Sequence, residues 1–256
     1  MNPKNKRIVA IVPAAGMGHR FGSEKNKPFH LLHSIPLFIW PLKALAAIAE
    51  IKEIIPVVKE QDLMAAANLI EDYQISKIKR IVPGGKERQD SVYNAIKILD
   101  ESATVVLIHD GARPLIDEDL IRNVLDGLQD CDGALAAVPV KDTIKEARRQ
   151  TVSPKNQRFF GVEMGQRSEI IVEKTLNRNL LWAVQTPQVF HFNKIKEAYE
   201  KAMADKHYAT DDAALIERYG GTVKIVMGSY RNIKITTPED VKIAEAIFTM
   251  SHDPNP

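Results

Sequence analysis

Apolar residues along the chain fall into short continuous runs, separated by longer stretches in which they recur every three or four positions. The runs cover residues 8–12, 54–58, 78–82 and 105–108, all rich in Ile and Val although Lys79 and Arg80 interrupt the third, and a fifth at 134–138 is richer in Ala. Runs of this length suit strands covered on both faces, as in a parallel sheet. In the intervening stretches, Val92, Ala95, Ile96 and Leu99 repeat at helical spacing. So do Leu120, Ile121, Val124, Leu125 and Leu128, behind acidic residues Asp117, Glu118 and Asp119 that favour a helix N-terminus. Strand–helix alternation with short connections predicts an open, doubly wound, mostly parallel α/β sheet.

The pattern breaks after residue 138. Residues 141–179 are rich in Arg, Lys and Glu and only weakly periodic, which fits either disorder or an arm lying across a neighbour. Regular order is expected again at 181–184, in a helix near 193–204 and in a second helix after Asp212. Strands are expected at 223–227 and 233–236. Thr237 as N-cap, Pro238 at the first helical position and Glu239 and Asp240 in the first turn predict a last helix. The organisation read from this is one domain over 1–250, an arm at 140–184 inserted in it, and a loose tail at 251–256.

Composition narrows the function classes. The chain has 256 residues, 45% hydrophobic and 27% charged, with a formal net charge of +2. So small a charge implies no bulk attraction to nucleic acid or to an anionic membrane, and phosphate binding must come from locally placed Lys and Arg. The single cysteine, Cys131, cannot form an internal disulfide and fits a reducing, cytoplasmic compartment. No apolar run approaches the roughly 20 residues of a membrane span. Lys4, Lys6 and Arg7 before the run at 8–12 suggest a signal peptide, but that run is too short and meets Pro13 and a glycine loop, so it is read as the first buried strand.

In an open α/β sheet, ligands sit beyond the carboxyl ends of the strands, so the residues that follow each strand carry the functional reading. After the first run comes Pro13-Ala14-Ala15-Gly16-Met17-Gly18-His19-Arg20-Phe21-Gly22, then Lys27. Small residues let backbone approach a ligand, successive N–H groups can cradle an anion, and Arg20 and Lys27 add positive charge. The glycine spacing is one residue off the dinucleotide fingerprint, and the Gly-Lys-Ser/Thr of a P-loop is absent. After the third run comes Pro83-Gly84-Gly85-Lys86-Glu87-Arg88-Gln89-Asp90-Ser91, with room for a flat group and with Ser91 placed to read a base. After the fourth comes His109-Asp110-Gly111-Ala112-Arg113-Pro114. There Asp110 suits a metal-facing carboxylate or a hydroxyl acceptor, and Arg113 can pair with a phosphate. His109 reads more readily as structural than catalytic. Together the three loops outline a nucleotide site.

These motifs, in this order, resemble the 2-C-methyl-D-erythritol 4-phosphate cytidylyltransferase family. The resemblance continues through Pro139-Val140-Lys141-Asp142-Thr143, Gln185-Thr186-Pro187-Gln188, Thr210-Asp211-Asp212 and Asn232-Ile233-Lys234-Ile235-Thr236, so that it spans nearly the whole chain. It implies a Rossmann-like nucleotidyltransferase that takes CTP as substrate, requires Mg²⁺ and forms a homodimer through an extended arm. Arg20 and Lys27 would hold the triphosphate and, as catalytic residues, stabilise the transition state. Pro13, Ala14, Ala15, Gly16, Gly18, Gly84, Gly85, Asp90, Ser91 and Ala112 would surround the nucleotide. Asp110 would face the metal and, with Arg113, the acceptor. Thr143 and Arg178 would reach from the partner's arm, and Thr186, Thr210 and Lys234 would complete the acceptor pocket, with Arg178 and Lys234 among the catalytic cations. Where the family often shows Pro-Lys-Gln, this chain has Asn26-Lys27-Pro28-Phe29, and Gly111 stands where Ala is frequent.

The implied chemistry agrees with what the sequence lacks. A phosphate monoester is mostly dianionic at neutral pH, its second pKa being about 6, so it attacks without a general base. No Ser-His-Asp or Cys-His set is evident. The demand falls on cations that offset repulsion between two anions. The rivals are a sister enzyme acting on ribitol 5-phosphate, a hydride-transferring dehydrogenase and a non-catalytic nucleotide-binding regulator. The shifted third glycine and the sequence Val57-Val58-Lys59, without an acid to end the second strand, disfavour the dehydrogenase.

Overall fold

The computed structural model describes residues 7–16, 27–152, 158–159, 162–163 and 167–252. In chain order the elements are β1 (Ile8–Pro13), β2 (Leu31–Leu32), β3 (Ile35–Pro36), α1 (Ile39–Ala47), β4 (Ile51–Val58), α2 (Leu63–Asp72), β5 (Val82–Pro83), α3 (Arg88–Ile96), β6 (Val105–Ile108), α4 (Glu118–Gly127) and β7 (Gly133–Pro139). Then follow β8 (Lys145–Val152), β9 (Arg158–Phe159), β10 (Val162–Glu163), β11 (Arg167–Thr175), β12 (Trp182–His191), α5 (Phe192–Ala204), α6 (Ala213–Arg218), β13 (Val223–Met227) and α7 (Pro238–His252).

The chain divides into two compact units, Met1–Ala137 with Val184–Pro256, and Val138–Ala183. A seven-stranded sheet runs in the order β13-β7-β12-β6-β1-β4-β5. β1 is parallel to both β4 and β6, β4 to β5, and β13 to β7, whereas β12 runs antiparallel to β6. The mostly parallel α/β class expected from the sequence is therefore the one observed. Alternation along β1 explains why its residues are all apolar. Ala10 and Val12 face one layer with Leu42 and Leu45 of α1 and Ile121 and Val124 of α4. Val9 and Ile11 face the opposite layer with Val92 and Ala95 of α3 and Ile195 and Tyr199 of α5. Successive strand side chains point to opposite faces, so a strand buried on both has no polar position. Each fully buried Val, Ile or Leu contributes roughly 1.5–3 kcal/mol.

Several expected elements differ in extent. The run at 78–82 forms a strand only at Val82–Pro83, with a single bridge from Ile78 to Ile54 upstream. The strand expected at 233–236 is absent as a strand. Ile235 is buried, but its N–H is satisfied by one bond to the Ala112 carbonyl, 2.8 Å away, so no ladder forms. Of the run at 181–184, Trp182 to Val184 open the longer β12, and Leu181 ends the turn before it. The caps follow the sequence more closely. Asp117 accepts from the Leu120 N–H at 2.8 Å ahead of α4. At the start of α7, Asp240 accepts from the N–H groups of Thr236 and Thr237.

Within the second unit, β8 and β11 form an antiparallel ribbon in which Lys145 pairs with Thr175 and Arg148 with Ile171. Cross-strand ion pairs decorate it, Lys174 to Glu146 at 2.9 Å and Arg148 to Glu173 at 3.3 Å. Both of its faces are largely exposed, so the sequence carries no apolar alternation there to read. Among the described residues no helix is long and apolar enough to cross a membrane.

Candidate active site

Three loops meet where β1, β5 and β6 end, and the contacts between them require small residues. Beyond β1, the Ala14 N–H bonds the Val57 carbonyl at 2.7 Å, and beyond β5 the Gly84 N–H bonds the Val58 carbonyl at 2.7 Å. These bonds carry both loops past the ends of their strands in step with β4. They approach so closely that a Cβ on Gly84 would lie 2.4 Å from the Cβ of Ala15. Beyond β6, the Gly111 N–H bonds the Pro13 carbonyl at 3.1 Å, which ties the third loop to the first. Between them opens a cavity of about 740 Å³, within the usual range for small-molecule sites.

Pro13, Ala14, Ala15, Gly16, Gly84, Gly85, Ser91, Asp110, Ala112 and Lys234 all line this cavity. At its wall, Asp110 is a buried carboxylate surrounded by cations. Lys234 Nζ lies 2.8 Å from its Oδ2, Arg88 Nε 3.3 Å from Oδ1 and Arg113 Nε 3.6 Å from Oδ2. Burial alone would raise the carboxyl's pKa, but Arg88, Lys234 and Arg113 outweigh it and hold the group well below the usual carboxylate range. Asp110 is therefore a fixed anion at neutral pH. Lys234 keeps 40% of its side chain exposed, so its ammonium can reach a ligand in the cavity.

Arg88 is not among the site residues the sequence suggests. Its guanidinium lines the cavity, binds Asp212 through two bonds (Nη1–Oδ1 3.0 Å, Nη2–Oδ2 2.7 Å) and turns Nε to Asp110. Asp212 is buried and also accepts the Tyr199 hydroxyl. Burial opposes the charge on Arg88, but Asp212 and then Asp110 more than compensate, and its pKa is raised. One signal in the sequence could have exposed it. Arg88 is the first residue of α3, where the helix dipole disfavours a cation. A cation there needs a local anion to hold it.

Other expected residues have different surroundings. Asp90 caps α3, with Oδ2 accepting the Glu87 N–H at 2.9 Å and Oδ1 the Tyr208 hydroxyl at 3.0 Å. Ser91 Oγ accepts the Gly85 N–H at 3.0 Å and donates to the Glu87 carbonyl at 3.1 Å, so much of its hydrogen-bonding capacity holds its own loop. Arg113, expected at a phosphate, is buried behind Asp110 with Nη1 donating to the Asn232 carbonyl at 2.8 Å. Thr186 is buried against His109 and the Asp110 backbone. Thr210 is exposed on the turn before α6 and is not among the described residues lining the cavity. Lys27 opens a 3-10 turn, Lys27–Phe29, whose Pro28 lines the cavity, while Gly18 and Arg20 lie outside the described residues. Thr143 and Arg178 belong to the second unit, where Arg178 Nη1 donates to the Lys141 carbonyl at 2.8 Å.

The donor set does not fit a divalent ion held by the protein. Both oxygens of Asp110 already face cations, and among the described residues no three His, Cys, Asp or Glu side chains come together. A metal ion would have to displace those cations with one carboxylate as its ligand, so the metal-ligand role expected of Asp110 is not supported.

Residues 8–160 and 161–250 match the family model described as "IspD: 2-C-methyl-D-erythritol 4-phosphate cytidylyltransferase". The chain belongs to this cytidylyltransferase family. A relative of that name from Syntrophus aciditrophicus is 42% identical over 249 residues, covering 97% of each chain. Another from Clostridioides difficile is 41% identical over 241 residues, covering 94% of this chain and 93% of the relative. Among solved structures, the 4-diphosphocytidyl-2C-methyl-D-erythritol synthase of Anaerococcus prevotii is similar with a TM-score of 0.77 at 31% identity, covering 96% of this chain and 99% of the other. The cytidylyltransferase likeness thus extends over both units, the charged ribbon included.

Proposed function

We propose that the cavity beyond β1, β5 and β6 is where CTP meets 2-C-methyl-D-erythritol 4-phosphate. The reaction moves CMP from CTP to that acceptor and yields 4-diphosphocytidyl-2-C-methyl-D-erythritol and pyrophosphate, in isoprenoid biosynthesis. An oxygen of the acceptor phosphate forms a bond to the α-phosphorus of CTP. The bond from that phosphorus to the bridging oxygen breaks, and pyrophosphate leaves with the electron pair. The nucleophile is already anionic, so no side chain need take a proton.

The backbone of Ala14, Ala15, Gly16, Gly84 and Gly85 fits a flat base, with Ser91 buttressing the loop that reads it. Arg20 and Lys27 are assigned to the triphosphate, and Lys234 to the charge that develops at the reacting phosphates. Asp110, itself held by Arg88, keeps Lys234 in place. Thr143 and Arg178 are assigned to the partner's arm of a homodimer. The Mg²⁺ expected with CTP is assigned no ligand in this chain. It would travel on the triphosphate oxygens, as this ion commonly does, and supply charge neutralisation there. A cytoplasmic location is consistent with the lone cysteine.

The observation that carries this reading is the convergence of three close-packed loops of Gly and Ala on a cavity whose wall holds the Lys234–Asp110–Arg88 cluster. The test is product formation from CTP and Mg²⁺ with methylerythritol phosphate and with ribitol 5-phosphate in parallel, followed by mass spectrometry of the diphosphocytidyl product. Product from the first acceptor alone is expected. Product from ribitol 5-phosphate alone overturns the acceptor assignment, and no product from either returns the chain to a nucleotide-binding role.

A further inference from the structure

His109 carries no part of the chemistry described so far, yet it is fully buried at the edge of the site. β12 pairs antiparallel with β6, with Gln188 opposite Ile108. Continuing that register brings Thr186 opposite Asp110, just beyond the end of β6. The Asp110 N–H donates to Thr186 Oγ1 at 3.0 Å. The same hydroxyl lies 3.1 Å from His109 Nδ1. His109 Nε2 lies 3.1 Å from the Arg113 carbonyl, while the Arg113 N–H bonds back to the Asp110 carbonyl at 3.0 Å. One imidazole thus touches both ends of the turn that presents Asp110, directly at Arg113 and through Thr186 at Asp110.

The proton positions follow from donor and acceptor chemistry. A carbonyl oxygen only accepts, so Nε2 of His109 bears a proton. Burial lowers the His109 pKa to about 4, so the ring is neutral at pH 7 and Nδ1 is bare. Thr186 must then donate its hydroxyl proton to Nδ1 while accepting the Asp110 N–H. The order is Asp110 N–H to Thr186 O–H to His109, and His109 Nε2–H to Arg113. The hydroxyl proton of Thr186 is spent inside this chain, leaving the oxygen able only to accept.

We propose that His109, as its Nε2–H tautomer, is a positioning residue that acts through Thr186 to fix the Asp110 turn, and that Thr186 holds this turn rather than donating to the acceptor phosphate. The proposal rests on the reading of Asp110 and Lys234 as part of the reacting site. Asp110, aimed by its backbone, in turn fixes the Lys234 ammonium.

The first test needs no turnover. ¹⁵N NMR of the full chain labelled at histidine, with His109 assigned through its backbone, reports which ring nitrogen is protonated. A neutral ring protonated at Nε2, unchanged by adding CTP, is expected at pH 7. A ring protonated at Nδ1, or at both nitrogens, overturns the proposal whatever the activity. The second test is kinetic. Thr186→Val should lower kcat roughly tenfold, the order of one lost hydrogen bond, with KM for CTP little changed. Thr186→Ser, which keeps the hydroxyl, should restore most of it. A Val variant that is folded and within twofold of wild-type kcat sinks the positioning role. Complete inactivity of the wild-type chain would count against the assigned reaction, while the NMR result still decides the tautomer.

Discussion

Lys234 Nζ sits 2.8 Å from Asp110 Oδ2, although the two residues lie on separate loops on either side of α5 and α6 in the sequence. The pairing fixes an exposed ammonium at the wall of the cavity without neutralising the site, because Arg88 shares the same carboxylate. Preorganised charge of this kind stabilises a transition state because it does not have to reorganise as the reaction proceeds.

Lys234→Ala should therefore lower kcat by about 10²–10³, the usual cost of one such donor, with a smaller effect on KM for CTP. Lys234→Arg should retain part of the rate. Steady-state pyrophosphate release checks both, and a rate within threefold of wild type for the Ala variant would contradict the role.

Arg88→Ala should destabilise the fold as well as the site. It leaves Asp212 buried with the Tyr199 hydroxyl but without its paired cation. Breaking a buried pair on one side typically costs roughly 3–5 kcal/mol. Arg88 retains 31% side-chain exposure, so the lower end, about 3 kcal/mol, is expected from denaturant titration. Arg88→Lys should recover only a minority of it, because a single ammonium cannot reproduce the two-pronged bond to Asp212. Equal stability of the Lys variant and wild type would count against that geometry.

Gly84→Ala tests the meeting of the first two loops. The added Cβ would stand 2.4 Å from the Ala15 Cβ, and neither atom can rotate away because both are fixed to backbone. The loops must part, and calorimetry should show weaker CTP binding. Adding Ala15→Gly to the same chain should restore much of the affinity, since the two positions are in direct contact. Equal losses in the single and double variants would place the cause elsewhere.

Acid should weaken the fold in two stages. His109 has its pKa lowered to about 4 by burial, which outweighs the opposing effects of the Arg113 carbonyl, the Asp110 charge and the Thr186 backbone; the Arg113 charge lowers it further. Between pH 6.5 and 4 the unfolded chain binds a proton at this position that the folded chain does not, so stability is complete above about 6.5 and falls as pH drops, by up to roughly 3 kcal/mol. Asp110 has the opposite charge but also a depressed folded pKa, so its contribution holds above the unfolded value near 3.9 and is lost only below it. Urea midpoints of wild type and His109→Gln across this range isolate the first stage. The variant should have the shallower slope, and identical slopes would exclude His109 as its source.

Much of this candidate site is legible in the sequence, and the reason is local. A loop that must pack against another loop and a ligand needs Gly or Ala, so Ala14, Ala15, Gly16, Gly84 and Gly85 stand out in a single sequence. The β-branched runs that mark β1, β4 and β6 were likewise visible because burial on both faces admits no polar residue. What the sequence does not display depends on contacts between distant segments. Arg88 has meaning only once Asp110 and Asp212 are beside it, and His109 only once β12 brings Thr186 to Asp110. Arg113 suits a phosphate by its type, whereas its direction is set by the Asn232 carbonyl, far along the chain. The ribbon of β8 and β11 offers no periodicity, since its described residues are exposed on both faces.

The most direct test of the central claim, that the nucleotide occupies the cavity beyond β1, β5 and β6, is amide hydrogen exchange with and without CTP. Slowed exchange at residues 14–16, 84–91 and 110–112, with the far ends of the strands unchanged, is the result expected. Protection confined to other segments, under conditions where CTP is bound, would contradict it.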